Sequence, residues 1–132
     1  IPKLINNAAP VIRSNGLLTR DYLYVKDAVQ AYLLMAMKAD QPKVRGEAFN
    51  FGPEKPSSVS EIVSALQNIM NLFHLKPIIL NQAIHEIRDQ VLCSDKAKLR
   101  LGWSPGYSLH DGLCETVEWY QKYFEYCLCK LN

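Results

Sequence analysis

The side chains of this 132-residue chain that could do acid–base, nucleophilic or metal chemistry are few and scattered. Three histidines, His74, His85 and His110, stand isolated and are not arranged for proton transfer. Of the four cysteines, Cys93, Cys114, Cys127 and Cys129, only Cys127-x-Cys129 is a close pair, and no His or Cys stands at zinc spacing. Free thiols in a cytoplasmic protein, with no metal, are what this usage implies. Tyr22 precedes Lys26 by four residues, a spacing at which a lysine on one helix face can lower a phenol pKa. Here, however, Asp21-Tyr22-Leu23-Tyr24-Val25 reads as a strand, where residues four apart lie roughly 13 Å from each other, against about 6 Å on a helix. Dinucleotide binding needs a glycine-rich turn between a strand and a helix, so that a pyrophosphate can approach backbone amides. Gly16, Gly46, Gly52, Gly102, Gly106 and Gly112 never fall at that spacing. No catalytic residue is assigned, and no cofactor is expected to bind this chain alone.

The elements around these residues alternate. Ile1–Ala9 reads as a helix end, Pro10–Arg13 as a short strand closed by Ser14-Asn15-Gly16, and Asp21–Val25 as a second strand. Asp27 stands where an N-cap belongs, before a helix over Ala28–Lys38 that is apolar on nearly every face. Glu47–Phe51 reads as a strand ending at Gly52-Pro53. Ser58 and Glu61 then form a capping box ahead of a helix carrying Val59, Ile62, Val63, Leu66, Ile69, Met70 and Phe73. Pro77–Leu80 is a further short strand. Ser94–Leu101 is a helix stopped by Gly102, with Trp103 and Pro105 pinning the turn after it, and Ser108 opens the last helix. So few short strands do not supply the sheet that an all-round apolar helix wants, and the chain, which opens at Ile1 without a methionine, reads as a piece of something larger.

Size, a hydrophobic fraction of 48% and a charged fraction of 21% describe a single globular unit over residues 1–132. No apolar run approaches the roughly 18 residues of a membrane span, and no secretory leader is evident. The formal net charge is +2, with Lys and Arg spread along the chain, which gives no support to nucleic-acid binding.

Three stretches in order carry a family likeness: Thr19-Arg20-Asp21-Tyr22-Leu23-Tyr24-Val25-Lys26-Asp27-Ala28, then Gly46-Glu47-Ala48-Phe49-Asn50-Phe51-Gly52, then Ser94-Asp95-Lys96-Ala97 through Gly102-Trp103-Ser104-Pro105 to Val117-Glu118-Trp119-Tyr120. Together they resemble the C-terminal part of extended short-chain dehydrogenase/reductases acting on nucleotide-sugars, in wording closest to CDP-glucose 4,6-dehydratases and NAD-dependent epimerase/dehydratases. The resemblance implies an α/β protein with an NAD-binding Rossmann half outside this chain, and here a mixed α+β substrate-binding region with few short strands. It implies NAD as the parent's cofactor and a nucleotide-sugar, a CDP- or other NDP-hexose, as ligand. The Tyr22–Lys26 spacing lies within the Arg-Asp-Tyr motif, which the family carries downstream of its true Tyr/Lys pair.

The site residues come from the same likeness. Arg20 matches the arginine that approaches the diphosphate, where a guanidinium offers a planar fork of donors. Asn50 stands where relatives often use a neutral donor near the phosphates, though an asparagine there equally serves loop backbone. Arg88 lies where many relatives place a second phosphate arginine. Ile12 and Arg13 lie where the family lays strand backbone against the nucleotide base, and a plain edge strand reads equally well. A 4,6-dehydratase portion, a 4-epimerase portion and a non-catalytic binding module derived from such an enzyme all fit. Self-association through residues 28–38 would cover the apolar helix.

Overall fold

The structure, a computed structural model, describes residues 1–83 and 85–129. In chain order these form α1 (Pro2–Ile5), β1 (Val11–Ile12), β2 (Thr19–Arg20), α2 (Val25–Met37), β3 (Ser57–Ser58), α3 (Val59–Met70), β4 (Ile78–Ile79), β5 (Asp89–Gln90), α4 (Asp95–Leu101) and α5 (Leu109–Cys129). Two small sheets result. In one, β1 pairs in parallel with β4, Val11 beside Ile78 and Ile12 beside Ile79. In the other, β2 is central, antiparallel to β3 and parallel to β5, with Arg20 beside Ser57 on one side and Gln90 on the other.

The helix ends follow from side-chain chemistry. Ser58 accepts from the Glu61 amide while the Glu61 carboxylate accepts from the Ser58 amide, so two amides at the start of α3 are satisfied reciprocally. Ser108 opens α5 in a similar way, its hydroxyl accepting from the Asp111 amide and donating to the Asp111 carboxylate. Gly102 ends α4 at φ 65°, in the left-handed region where a side chain would strain the backbone, and Lys38 donates to the Leu101 carbonyl at 2.8 Å.

Two apolar clusters fix these elements. Ala31 of α2, Val44, Ala97 and Leu101 of α4, and Trp103 form the first, with Phe49 and Phe51 packed on it. Leu4, Leu66 of α3 and Val117 of α5 form the second, flanked by Ile62, Ile69 and Leu113. No helix of the described residues is long and apolar enough to cross a membrane.

Three sequence expectations are corrected. The second strand is Thr19–Arg20 rather than Asp21–Val25, because the Asp21 carboxylate turns to the Glu54 and Lys55 amides, each at 3.1 Å, and the ladder stops there. Helix α2 starts at Val25 rather than Ala28, with Tyr24 at its N-cap, so Asp27 is no cap but a buried member of the first turn. Glu47–Phe51 pairs with no strand among the described residues. Its aromatic side chains turn inward instead, Phe51 meeting Trp103 edge-on at 5.1 Å between centroids.

Candidate functional site

The central strand β2 presents Arg20, and its neighbours decide what the guanidinium can do. The Thr19 amide donates to the Arg88 carbonyl at 2.9 Å, which brings the 86–90 run alongside. Arg20 Nη1 donates to the carbonyls of Thr19 (2.7 Å) and Arg88 (3.4 Å), and Nη2 meets the Glu86 carboxylate at 3.4 Å. With 27% of its side chain exposed, Arg20 is held by backbone yet reachable from solvent. Arg88 lies beside it at the start of the neighbouring strand run, 88% exposed, with Nε 3.7 Å from Asp89. The other Asp89 oxygen accepts from the Thr19 hydroxyl at 2.8 Å. The fold therefore brings together Arg20 and Arg88, the two arginines expected near phosphates.

The other expected residues are placed differently. Ile12 is buried in the β1–β4 sheet, and its carbonyl accepts from the Leu80 amide at 2.8 Å. The Arg13 carbonyl accepts from Gln82 at 2.7 Å. Along this edge the carbonyls of Ile12 and Arg13 are thus taken up by β4 and the residues after it. Asn50 is exposed, and its side chain makes no hydrogen bond among the described residues. It lies two residues before Gly52, where a Cβ would stand 2.2 Å from an Asp21 oxygen; only glycine lets that carboxylate reach the 54–55 amides.

Beyond Arg20, the chain from Tyr22 to Tyr24 forms one wall of a cleft of about 480 Å³, faced by Pro105, Tyr107, Leu109 and Leu113. Two groups build this region: Asp27, expected as an N-cap, and Glu115, which sequence reasoning did not single out. Asp27, 3% exposed, accepts from the Gly106 and Tyr107 amides at 2.8 and 3.3 Å, and its backbone carbonyl accepts from the Trp103 indole at 3.2 Å. Glu115 of α5 accepts from Lys26 at 2.5 Å and from the Tyr24 hydroxyl at 2.7 Å. Hydrogen bonds from Lys26 and Tyr24 hold the Glu115 carboxyl below the usual carboxylate range, and the same contact raises Tyr24 and Lys26. Burial raises the Tyr22 phenol. A phenol pushed up by burial and a lysine committed to Glu115 do not make a base of the Tyr22–Lys26 pair. The signal for Asp27 lay in the sequence: an acid in the first turn of a mostly apolar helix, with a tryptophan and a Gly106-Tyr107 turn far downstream whose N–H groups need acceptors.

Among the described residues no metal centre is assembled around Arg20. Ligand atoms of Glu54, Cys93 and Asp95 converge elsewhere, but the Lys98 ammonium already serves there, 2.8 Å from Glu54 and 3.3 Å from Asp95. Cys93, Cys114 and Cys127 are free thiols, while the Cys129 side chain lies outside the described residues. His74 and His110 meet Asn7 and Cys114 respectively. The residues present do not fit a dinucleotide either: α2 follows Asp21–Tyr24 and α3 follows Pro56–Ser58, neither run containing a glycine.

Residues 1–52 match the NAD dependent epimerase/dehydratase family. The chain is 32% identical to a dTDP-glucose 4,6-dehydratase of Haemophilus influenzae, over 91% of this chain and 39% of that protein. It is 29% identical to a UDP-glucose 4-epimerase of Mycolicibacterium smegmatis, over 83% of this chain and 34% of that one. In structure it is similar to the UDP-glucose 4-epimerase of Thermotoga maritima with UDP-glucose, at a TM-score of 0.81 and 31% identity, covering 92% of this chain and 38% of that one. The fold is shared as well with a dTDP-glucose 4,6-dehydratase of Bacillus anthracis in complex with NAD, at a TM-score of 0.78 and 24% identity, covering 92% and 37%. The chain thus spans about two-fifths of the length of the relatives it matches.

Proposed function

Starting from a chain that shares the fold of nucleotide-sugar epimerases and dehydratases and matches their family over residues 1–52, we propose that it is the nucleotide-sugar-binding portion of a 4,6-dehydratase. Arg20 is the residue that meets the ligand's diphosphate. The observation that carries this reading is the partly exposed guanidinium of Arg20, anchored by two backbone carbonyls with Arg88 on the adjoining run. A diphosphate needs more than one donor, and two guanidinium groups, one on β2 and one just before β5, supply them. Asn50 is a neutral donor from the loop before Gly52, and the backbone of Ile12 and Arg13 borders the base. NAD, which the residues here do not fit, is held by the part of the protein that these relatives have beyond the matched region.

A 4-epimerase portion is the second reading, favoured by the likeness to the Thermotoga maritima enzyme. The nucleotide is CDP, dTDP or UDP, and titration of each separates them. The free thiols suit a cytoplasmic setting. The protein self-associates through α2, which leaves Val25, Val29, Tyr32, Leu33 and Met37 in solvent.

Calorimetric titration with the three nucleoside diphosphates tests the reading. Arg20→Ala is expected to weaken the preferred one by about 1.5–3 kcal/mol, the scale of a charge-assisted hydrogen bond, and to leave nucleoside binding unchanged. Equal diphosphate affinity in the variant and the wild type would reduce Arg20 to a surface cation.

A further inference from the structure

The guanidinium expected to hold phosphate is already engaged by a carboxylate. Arg20 Nη2 lies 3.4 Å from Glu86 Oε2, and the Glu86 side chain is 53% exposed. The same run supplies Asp89, whose two oxygens face the Thr19 hydroxyl at 2.8 Å and Arg88 Nε at 3.7 Å. Each cation at this edge thus meets an acid from residues 86–89, so the edge carries its own counter-anions. The two acids differ in how they are held. Asp89 sits on β5, inside the ladder, and accepts a short bond from Thr19. Glu86 precedes the strand and touches Arg20 at the long end of hydrogen-bond range, 3.4 Å.

We infer that Glu86 is an internal competitor for the anion that Arg20 binds, and so sets the affinity of the site. The inference rests on the assignment of Arg20 to the diphosphate. An incoming phosphate must either displace the Glu86 carboxylate or share the guanidinium with it. In the first case a favourable contact is lost; in the second, two negative charges approach one another. Both costs vanish when residue 86 is neutral. An exposed pair at this separation is weak, so the gain on removing it is a factor of roughly two to five. Because both partners face solvent, added salt shrinks that gain.

Glu86→Gln keeps the size of the side chain and removes its charge. UDP and dTDP are titrated calorimetrically at low and at high salt into the wild type, Glu86→Gln, Arg20→Ala and Glu118→Gln. Glu118 is a control: a carboxylate paired with Lys122 on the exposed face of α5. The expected result is two- to fivefold tighter diphosphate binding by Glu86→Gln at low salt, a smaller gain at high salt, and no change in Glu118→Gln. Equal tightening in both glutamine variants would mean general charge repulsion and overturn the inference. Unchanged or weaker binding by Glu86→Gln, with Arg20→Ala still losing affinity, overturns it while leaving the phosphate role of Arg20 standing. Absence of diphosphate binding by all four proteins overturns both.

Discussion

Asp27 is where a single substitution should cost the fold most for the least change in volume. Its carboxylate is buried and accepts from two backbone amides of the turn that follows Trp103, at 2.8 and 3.3 Å. Asp27→Ala leaves both amides without a partner, and each such loss is worth about 1–3 kcal/mol. The 3.3 Å bond is the weaker, so a total of about 2–4 kcal/mol is the working figure. A chain of 132 residues has an unfolding entropy of about 0.28 kcal/mol/K, which turns that loss into a fall in Tm of about 7–14 °C. Asp27→Asn keeps one acceptor oxygen but sets its amide group against a backbone N–H, and should lose roughly half as much. Differential scanning calorimetry on the three proteins at one concentration reads both values. A Tm for Asp27→Ala within about 2 °C of wild type, equivalent to about 0.5 kcal/mol, would refute the reasoning. The 103–107 turn would then be held by the packing of Trp103 and its indole bond to the residue-27 backbone carbonyl.

Two further outcomes concern the α2–α5 contact and the outer face of α2. The folded Glu115 carboxyl titrates below its unfolded value, so its stabilisation is complete above the ordinary carboxylate range, about 4.3, and is lost as pH falls through the folded value. Glu115→Gln should therefore flatten the acid side of a Tm-against-pH curve; superimposable acid limbs would contradict the ion-pair account. Leu33→Glu combined with Met37→Glu should shift the 15.0 kDa chain toward monomer in sedimentation, and a wild type already monomeric at high concentration would sink the self-association reading.

How legible the fold was depended on how local each determinant is. The Ser58–Glu61 box and the Gly102 stop require only residues within one turn, and the structure has both. The strand expected at Asp21–Val25 failed because its aromatic and β-branched content signals burial as readily as pairing. What ended the ladder was Asp21, bonding to amides 33 and 34 positions away. Glu47–Phe51 failed for a related reason: Phe49 and Phe51 pack on the Trp103 cluster, and no strand pairs with them among the described residues. Asp27 was placed at a helix start by type alone, whereas its partners stand 79 and 80 residues downstream.

The candidate site shows the same division more sharply. Arg20 stands out in the sequence because a residue type, a motif and a chemical need coincide at one position. Its environment does not, since Glu86 lies 66 residues away and reaches Arg20 only through the parallel pairing of β2 with β5. That pairing spans two residues on each strand, too short for hydrophobic alternation to announce it. Yet this short ladder decides the electrostatics: it delivers the second arginine and, on the same run, the two acids that oppose both cations. A register slip of one residue would turn every side chain of the run to the opposite face of the sheet. The balance of charge at this edge is therefore a property of two backbone pairings, Thr19 with Asp89 and Arg20 with Gln90, more than of any motif.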